Sequence, residues 1–187
     1  MAAAAPTAVA TGMAGLLSAL AVLVAPAAAS AQSPSIEYAV KAAYLYKFAP
    51  FVEWPPTAFG SASSPFQLCV LGRDPFGASL DQAVSGQRVD EHRVVIRRLD
   101  RVDAASGCHV LYLGVSSSQT AAEALRAVRG TPILTVADGD QESGAIIKFV
   151  VKNNRVRFDI DTAAAAANHV TISSKLLAMA MSVRAGA

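Results

Sequence analysis

The spacing of apolar residues divides the chain into a leader, one amphipathic helix and a series of short alternating segments. Within residues 36–48, apolar or aromatic side chains fall at Ile36, Val40, Ala43, Tyr44 and Phe48, with Phe51 following. This is close to the 3.6-residue period of an amphipathic helix. Pro50 lacks a backbone donor and ends or kinks that helix, and Pro55-Pro56 closes the segment before a Ser-rich loop at 60–64. Apolar runs then alternate with helical patterns: a strand at 66–72, a helix at 76–85, strands at 93–99 and 108–114, a helix at 119–129 and a strand at 133–137. Alternation of this kind indicates parallel βαβ units, and the mostly apolar runs 108–114 and 133–137 are expected to be strands covered on both faces.

A hairpin is expected next, because 145–151 and 156–160 flank Lys152-Asn153-Asn154-Arg155, and Asn tolerates the positive φ of tight turns. Asp161 can cap a helix at 163–167, and Thr171 or Ser173 can cap a last helix carrying Leu176, Leu177, Ala180 and Val183 on one face. The expected fold is α/β: a Rossmann-like sheet, mostly parallel with an antiparallel C-terminal hairpin, and helices on both faces.

Charge is absent before Glu37, and residues 13–24 form an apolar run. That run has the length of a secretory h-region and falls short of the roughly 20 residues of a bilayer-spanning helix. It leads through Pro26 into Ala29-Ser30-Ala31, the small-residue pattern of a signal-peptidase site. Residues 1–31 are therefore expected to be a signal peptide cleaved after Ala31, with 32–187 a single exported α/β domain. The formal charge of +2, with both signs interspersed, gives no electrostatic case for nucleic-acid binding, and the cluster Arg97-Arg98 with Arg101 is local.

An exported chain meets an oxidising compartment, so Cys69 and Cys108, each in an expected strand, suggest a disulfide; two buried free thiols are the alternative. A bond would require Cα atoms within about 7 Å, making these two strands neighbours and leaving the strand at 93–99 to one side.

Beyond the carboxyl ends of the parallel strands lie Arg73-Asp74-Pro75-Phe76-Gly77, Ser116-Ser117-Ser118 and Asp138-Gly139-Asp140. A small ligand of a doubly wound sheet would sit there, with Arg73, Asp74, Ser116, Ser117 and Asp138 as candidate ligand-binding residues. The alternative is that these are turns chosen for backbone geometry and serines that cap the following helix. No G-x-G-x-x-G, P-loop or G-x-S-x-G is present, and Ser173-Ser174-Lys175 lacks S-x-x-K spacing. His92, His109 and His169 are scattered, and Asp138, Asp140 and Glu142 alternate without the rest of a calcium loop. No catalytic residue, metal or cofactor is assigned. Tyr44, Tyr46 and Trp54, with Met179 and Met181, are of the types enriched at interfaces and are candidate partner-binding residues; core packing is the alternative for Tyr44 and Met179.

Several blocks carry a resemblance: VKAAYLYKFAPFVEWP (40–55), FQLCVLGRDPFG (66–77), VVIRRL (94–99), CHVLYLGVSSS (108–118), TPILTVADGD (131–140), GAIIKFVVKNNRVRFDID (144–161) and ISSKLLAMA (172–180). Together they resemble the YfiR-like family of small periplasmic proteins that repress membrane-bound diguanylate cyclases. The resemblance implies a Rossmann-like domain that dimerises and in which Cys69 and Cys108 correspond to the family's disulfide pair. It further implies a regulator that binds the periplasmic portion of an inner-membrane diguanylate cyclase, lowers cyclic-di-GMP and biofilm formation, and is sequestered by an OmpA-like outer-membrane lipoprotein. Better-known members carry a second cysteine pair in the later half, absent here, so redox control resting on it does not carry over. Glu91-His92 also stands where a Gly-Arg pair is common. The competing reading is a periplasmic small-molecule binding or sensor protein that uses the strand-end crevice.

Overall fold

The computed structural model describes residues 1–2, 36–139 and 144–185. The expected signal peptide and its cleavage point after Ala31 lie outside the described residues, as do Asp140 and Glu142. Among the described residues the first element is helix α1 (Ile36–Lys47), with Glu37 in its first turn and Lys47 in its last, both complementing the helix dipole. Strand β1 (Val52–Glu53), strand β2 (Phe66–Leu71), helix α2 (Ala78–Val84), strand β3 (Arg88–Val89) and strand β4 (His92–Leu99) follow. Next come β5 (Val110–Leu113), α3 (Ala121–Ala127), β6 (Leu134–Asp138), β7 (Ile147–Lys152) and β8 (Arg155–Asp161). Helix α4 (Thr162–Ala167), strand β9 (Thr171–Ile172), helix α5 (Ser174–Met179) and strand β10 (Ser182–Arg184) are the last of the described elements.

Strand β2 is the centre of the sheet, and its two-residue period divides the core. Leu68 and Val70 pack with Ala42, Leu45, Phe48, Leu80 and Val84 from α1 and α2. Cys69 and Leu71 point the other way and pack with Ala121, Ala124 and Val128 in and beside α3. On one side β2 pairs in parallel with β4, on the other with β5, and β6 and β7 continue in parallel from β5. The order β10-β8-β7-β6-β5-β2-β4-β3 is mostly parallel, with antiparallel pairs only at β7–β8 and β3–β4. The mixed α/β sheet covered on both faces is thus the architecture expected from the sequence. Asn153 and Asn154 take φ of 52° and 56°, the left-handed values of a two-residue hairpin turn.

The structure departs from expectation in five places. The buried face of α1 is Lys41, Ala42 and Leu45, while Ile36 and Val40 are exposed, so the helix is rotated from the face its apolar spacing suggested. Cys108 lies two residues ahead of β5 rather than within it. Val183 belongs to β10, since α5 ends at Met179 and Ser173 caps it by accepting from the Leu176 amide. Thr120, not the preceding serines, caps α3, with Glu123 returning a carboxylate to the Thr120 amide. Finally, β1 and β9 form a two-stranded antiparallel pair, and β3 and β10 extend the main sheet; these strands of two or three residues carry no periodicity of their own.

Cys69 and Cys108 form a disulfide with Cα atoms 5.8 Å apart and a sequence separation of 39. Closing a loop of that size is worth about 4 kcal/mol in the chain-entropy account, within a total domain stability of roughly 5–15 kcal/mol. Replacing both residues by Ala is therefore expected to lower unfolding free energy by about 4 kcal/mol. Urea denaturation of the oxidised protein and the double variant measures this, and unchanged midpoints would refute it.

His109 forms a second lock beside the disulfide. Its Nδ1 accepts from the Gln67 amide at 3.0 Å, so the proton resides on Nε2, which donates to the Ala58 carbonyl at 3.1 Å. The ring stacks between Phe59 and Phe66 at 4.4 and 4.9 Å, holding the 55–65 strap on the sheet. Burial is the main cause that lowers the His109 pKa from 6.5 to about 4, and a proton on Nδ1 would face the Gln67 N–H. The unfolded chain takes up that proton first, so the stability involved is complete above pH 6.5 and is lost as pH falls to 4. The loss attributable to His109 is about 3 kcal/mol. His109→Gln keeps an acceptor for Gln67 and is expected to lose that much less than wild type between pH 7 and pH 4; equal losses would remove His109 as the cause.

Candidate functional site

In a doubly wound sheet the loops after the two strands at the switch point splay apart and leave a ligand crevice. Here the switch lies between β2 and β5, whose following helices α2 and α3 pack on opposite faces. The crevice floor is closed by backbone. Gly114 donates to the Leu71 carbonyl at 3.0 Å and Arg73 to that of Val115 at 2.9 Å, while on the β4 side of β2 Gly72 donates to the Leu99 carbonyl at 2.7 Å. A Cβ on Gly72 would meet the Val115 carbonyl at 2.4 Å, and one on Gly114 would meet the Leu71 carbonyl at 2.4 Å. Both loops therefore require glycine for their closeness, and Gly72 also for its φ of 69°.

The candidate ligand residues surround this seam, each already engaged or turned to solvent. One Asp74 oxygen accepts from the amides of Phe76 and Gly77 at 2.7 and 3.2 Å, an Asx turn that shapes the DPFG bend. The other accepts from Arg98 Nε at 2.7 Å, while the same guanidinium bonds Asp81 of α2 at 2.9 and 3.2 Å. Hydrogen bonding to Asp81, the largest cause, raises the Arg98 pKa despite partial desolvation. Ser116 donates to the Asp100 carbonyl and accepts from the Ser118 amide, whereas Arg73 and Ser117 point outward. Asp138 is separate from the others and holds Lys41.

Lys41 is the site residue that sequence periodicity concealed. It is 1% exposed, and its Nζ lies 2.6 and 2.7 Å from the Asp138 oxygens and 2.5 Å from Glu37. Burial pulls the ammonium pKa down, but the hydrogen bonds to Asp138 and Glu37 outweigh it and the value is raised, so the pair is ionic. Nζ also stands 4.9 Å over the Tyr38 ring. Burial and then the Asp138 charge raise the pKa of both Tyr38 and Tyr112, keeping both phenols neutral beside that carboxylate. Phe76 packs edge-on against both tyrosines at 5.8 and 4.6 Å. One cation thus ties the start of α1 to the carboxyl end of β6, with a cage of aromatic rings excluding water. The signal available in sequence is the spacing Glu37, Lys41, Leu45, Phe48, which puts the lysine in line with core residues at i+4 and i+7.

The candidate partner residues are mostly built into the core. Tyr44 lies 5.6 to 6.1 Å from Phe48, Phe149 and Phe158, Trp54 stands edge-on to Phe66 at 5.3 Å, and Tyr46 packs on the same cluster. Each retains a partly exposed surface. Met179 and Met181 are instead exposed, at 51% and 44%.

A mostly parallel sheet with a disulfide on its central strand, a closed seam at the switch point and strand-end pairs Arg98–Asp74 and Lys41–Asp138 defines the architecture as a Rossmann-like α/β domain. The family model described as YfiR/HmsC-like matches residues 38–181, from the tyrosine beside Lys41 to the methionine before β10. The chain belongs to the YfiR/HmsC-like family.

Losing Lys41 leaves the Asp138 carboxylate, 22% exposed, without its cation. Lys41→Met is expected to destabilise the protein by about 3 kcal/mol, and adding Asp138→Asn is expected to restore part of it. A double-mutant cycle in urea measures the coupling, and strictly additive effects would dissolve the pair.

Proposed function

We propose that the protein is an exported, non-catalytic regulator that binds the periplasmic portion of an inner-membrane diguanylate cyclase and lowers cyclic-di-GMP output. Membership of the YfiR/HmsC-like family over residues 38–181 is the observation that carries this reading. Two features of the chain agree with it. The leader at residues 1–31 has the pattern of a signal peptide, and the Cys69–Cys108 bond suits an oxidising compartment. A regulator of this kind acts by differential affinity for two receptor states, which requires a rigid complementary surface and no reacting groups. Self-association as a dimer and sequestration by an OmpA-like outer-membrane lipoprotein complete the reading. The small-molecule sensor reading gains nothing from the strand ends, where Asp74, Ser116 and Asp138 satisfy Arg98, the Asp100 carbonyl and Lys41.

Deleting the gene is expected to raise cellular cyclic-di-GMP several-fold and to increase biofilm, with the wild-type copy restoring both. Fractionation is expected to place the protein in the periplasm with Gln32 as its first residue, by intact mass. Nucleotide levels unchanged by deletion would defeat the regulatory reading; full-length protein in the cytosol would defeat export.

A further inference from the structure

The corner where the β7–β8 hairpin meets the α5–β10 segment gathers features that the core does not use. Met179 and Met181 are both exposed there, at 51% and 44%. The segment is fixed to the hairpin by parallel pairing of β10 on β8 and by the Met181 amide, which donates to the Phe158 carbonyl at 2.8 Å. A cavity of about 490 Å³ opens between the two, with Lys152, Arg155 and Arg157 on the hairpin side and Met179 and Met181 on the other. Among the described residues no acidic side chain lines it. Acids on neighbouring strand positions are taken: Asp159 faces Lys148 at 3.9 Å and Asp161 faces Arg184 at 3.5 Å.

The same corner ends the sheet. Among the described residues β10 pairs only with β8, and Ser182, Val183 and Arg184 are all exposed, so its outer edge offers backbone groups that no described strand takes. A second copy using this same corner two-fold would bring the Lys152, Arg155 and Arg157 cluster against its own like, which disfavours an isologous contact here. A lipid surface is flat and has no use for strand backbone, whereas the cations here line a concavity. An extended peptide with acidic and apolar side chains satisfies the edge, the charges and the methionines together.

We propose that this corner is the docking surface for an acidic, extended segment of a partner protein. The segment adds as a strand to the outer edge of β10, sets carboxylates against Lys152, Arg155 and Arg157, and lays an apolar side chain between Met179 and Met181. This inference rests on the regulatory reading above and places its contact: the segment belongs to the periplasmic portion of the cyclase.

The test complements the deletion strain with wild type, with Arg155→Glu/Arg157→Glu, with the milder Arg155→Gln/Arg157→Gln, and with Lys47→Glu/Arg93→Glu, an equal charge change at exposed positions elsewhere. Cyclic-di-GMP and retention on cyclase-containing membranes are read for each, with Tm and disulfide content confirming folding. Wild type and the distant variant are expected to repress, the Glu pair to lose at least tenfold in retention and all repression, and the Gln pair to fall between. Full repression by the Glu pair would overturn the docking surface and leave the regulatory reading standing. Absence of any effect of the deletion itself would overturn both. Binding to protein-free phosphatidylglycerol vesicles that the Glu pair abolishes would assign the corner to lipid, and a loss of dimerisation in that pair would assign it to a second copy.

Discussion

The pairing of β2 with β5 is the constraint on which the rest of the molecule depends. Leu68 to Leu71 lie in parallel register with Val110 to Leu113, and nearly every side chain of both strands is buried. Parallel strands form no hairpin, so the chain must travel through α2, β3 and β4 before β5 arrives, and long-range closure of that kind is costly in entropy. Three local devices act where the two strands meet. The disulfide ties Cys69 of β2 to Cys108 just ahead of β5 on the α3 face, His109 exchanges backbone and ring hydrogen bonds with Gln67, and Gly72 and Gly114 bring the departing loops into backbone contact. Each acts on a different stretch of the same seam.

That seam closes the position where a ligand of this topology would sit. In related topologies the gap between loops at the switch point admits a ligand, but here peptide groups occupy it. The charges that would have greeted a ligand perform internal tasks: Arg98 fastens the carboxyl end of β4 to the DPFG bend and α2, and Asp138 receives Lys41. Both arrangements satisfy buried or half-buried charge with multiple hydrogen bonds, the condition under which such pairs are tolerated. The sheet's carboxyl ends are thereby stiffened, and surface available for binding shifts toward the outer strands.

The main elements were legible because their chemistry is local. Apolar runs of strand length, the Asn-Asn turn and the Asp161 cap each follow from residues adjacent in sequence, and the spacing of Cys69 and Cys108 on separate strands anticipated the β2–β5 neighbourhood. What escaped depends on partners far away in the chain. The buried face of α1 could not be read from Ile36 and Val40, because Lys41 is admitted to the interior by a carboxylate 97 residues distant. Strands β1 and β9 exist only because each offers the other an edge, and β10 only because β8 does. For the strand-end residues, sequence identified the right neighbourhood and the right residue types. It could not reveal that Arg98, Asp100 and Lys41 would reach them first.

Surface that reorders on binding gives up part of its interaction energy to entropy, whereas surface already ordered by the fold does not. The distribution of rigidity in this fold gives the second case. Lys41 fixes the first helix to β6, the aromatic cluster of Tyr44, Phe48, Phe149 and Phe158 fixes the same helix to the β7–β8 hairpin, and β10 is registered on β8 over its whole length. The hairpin tip and the α5–β10 segment are therefore exposed in side chain yet anchored in backbone. Exposed apolar groups on anchored backbone are what a preorganised contact needs, because the ordering has been done by folding and is not charged to association. The stiffening of the sheet's centre and the exposure at its C-terminal edge are in this sense one property, transmitted from the sealed seam outward through β6, β7 and β8.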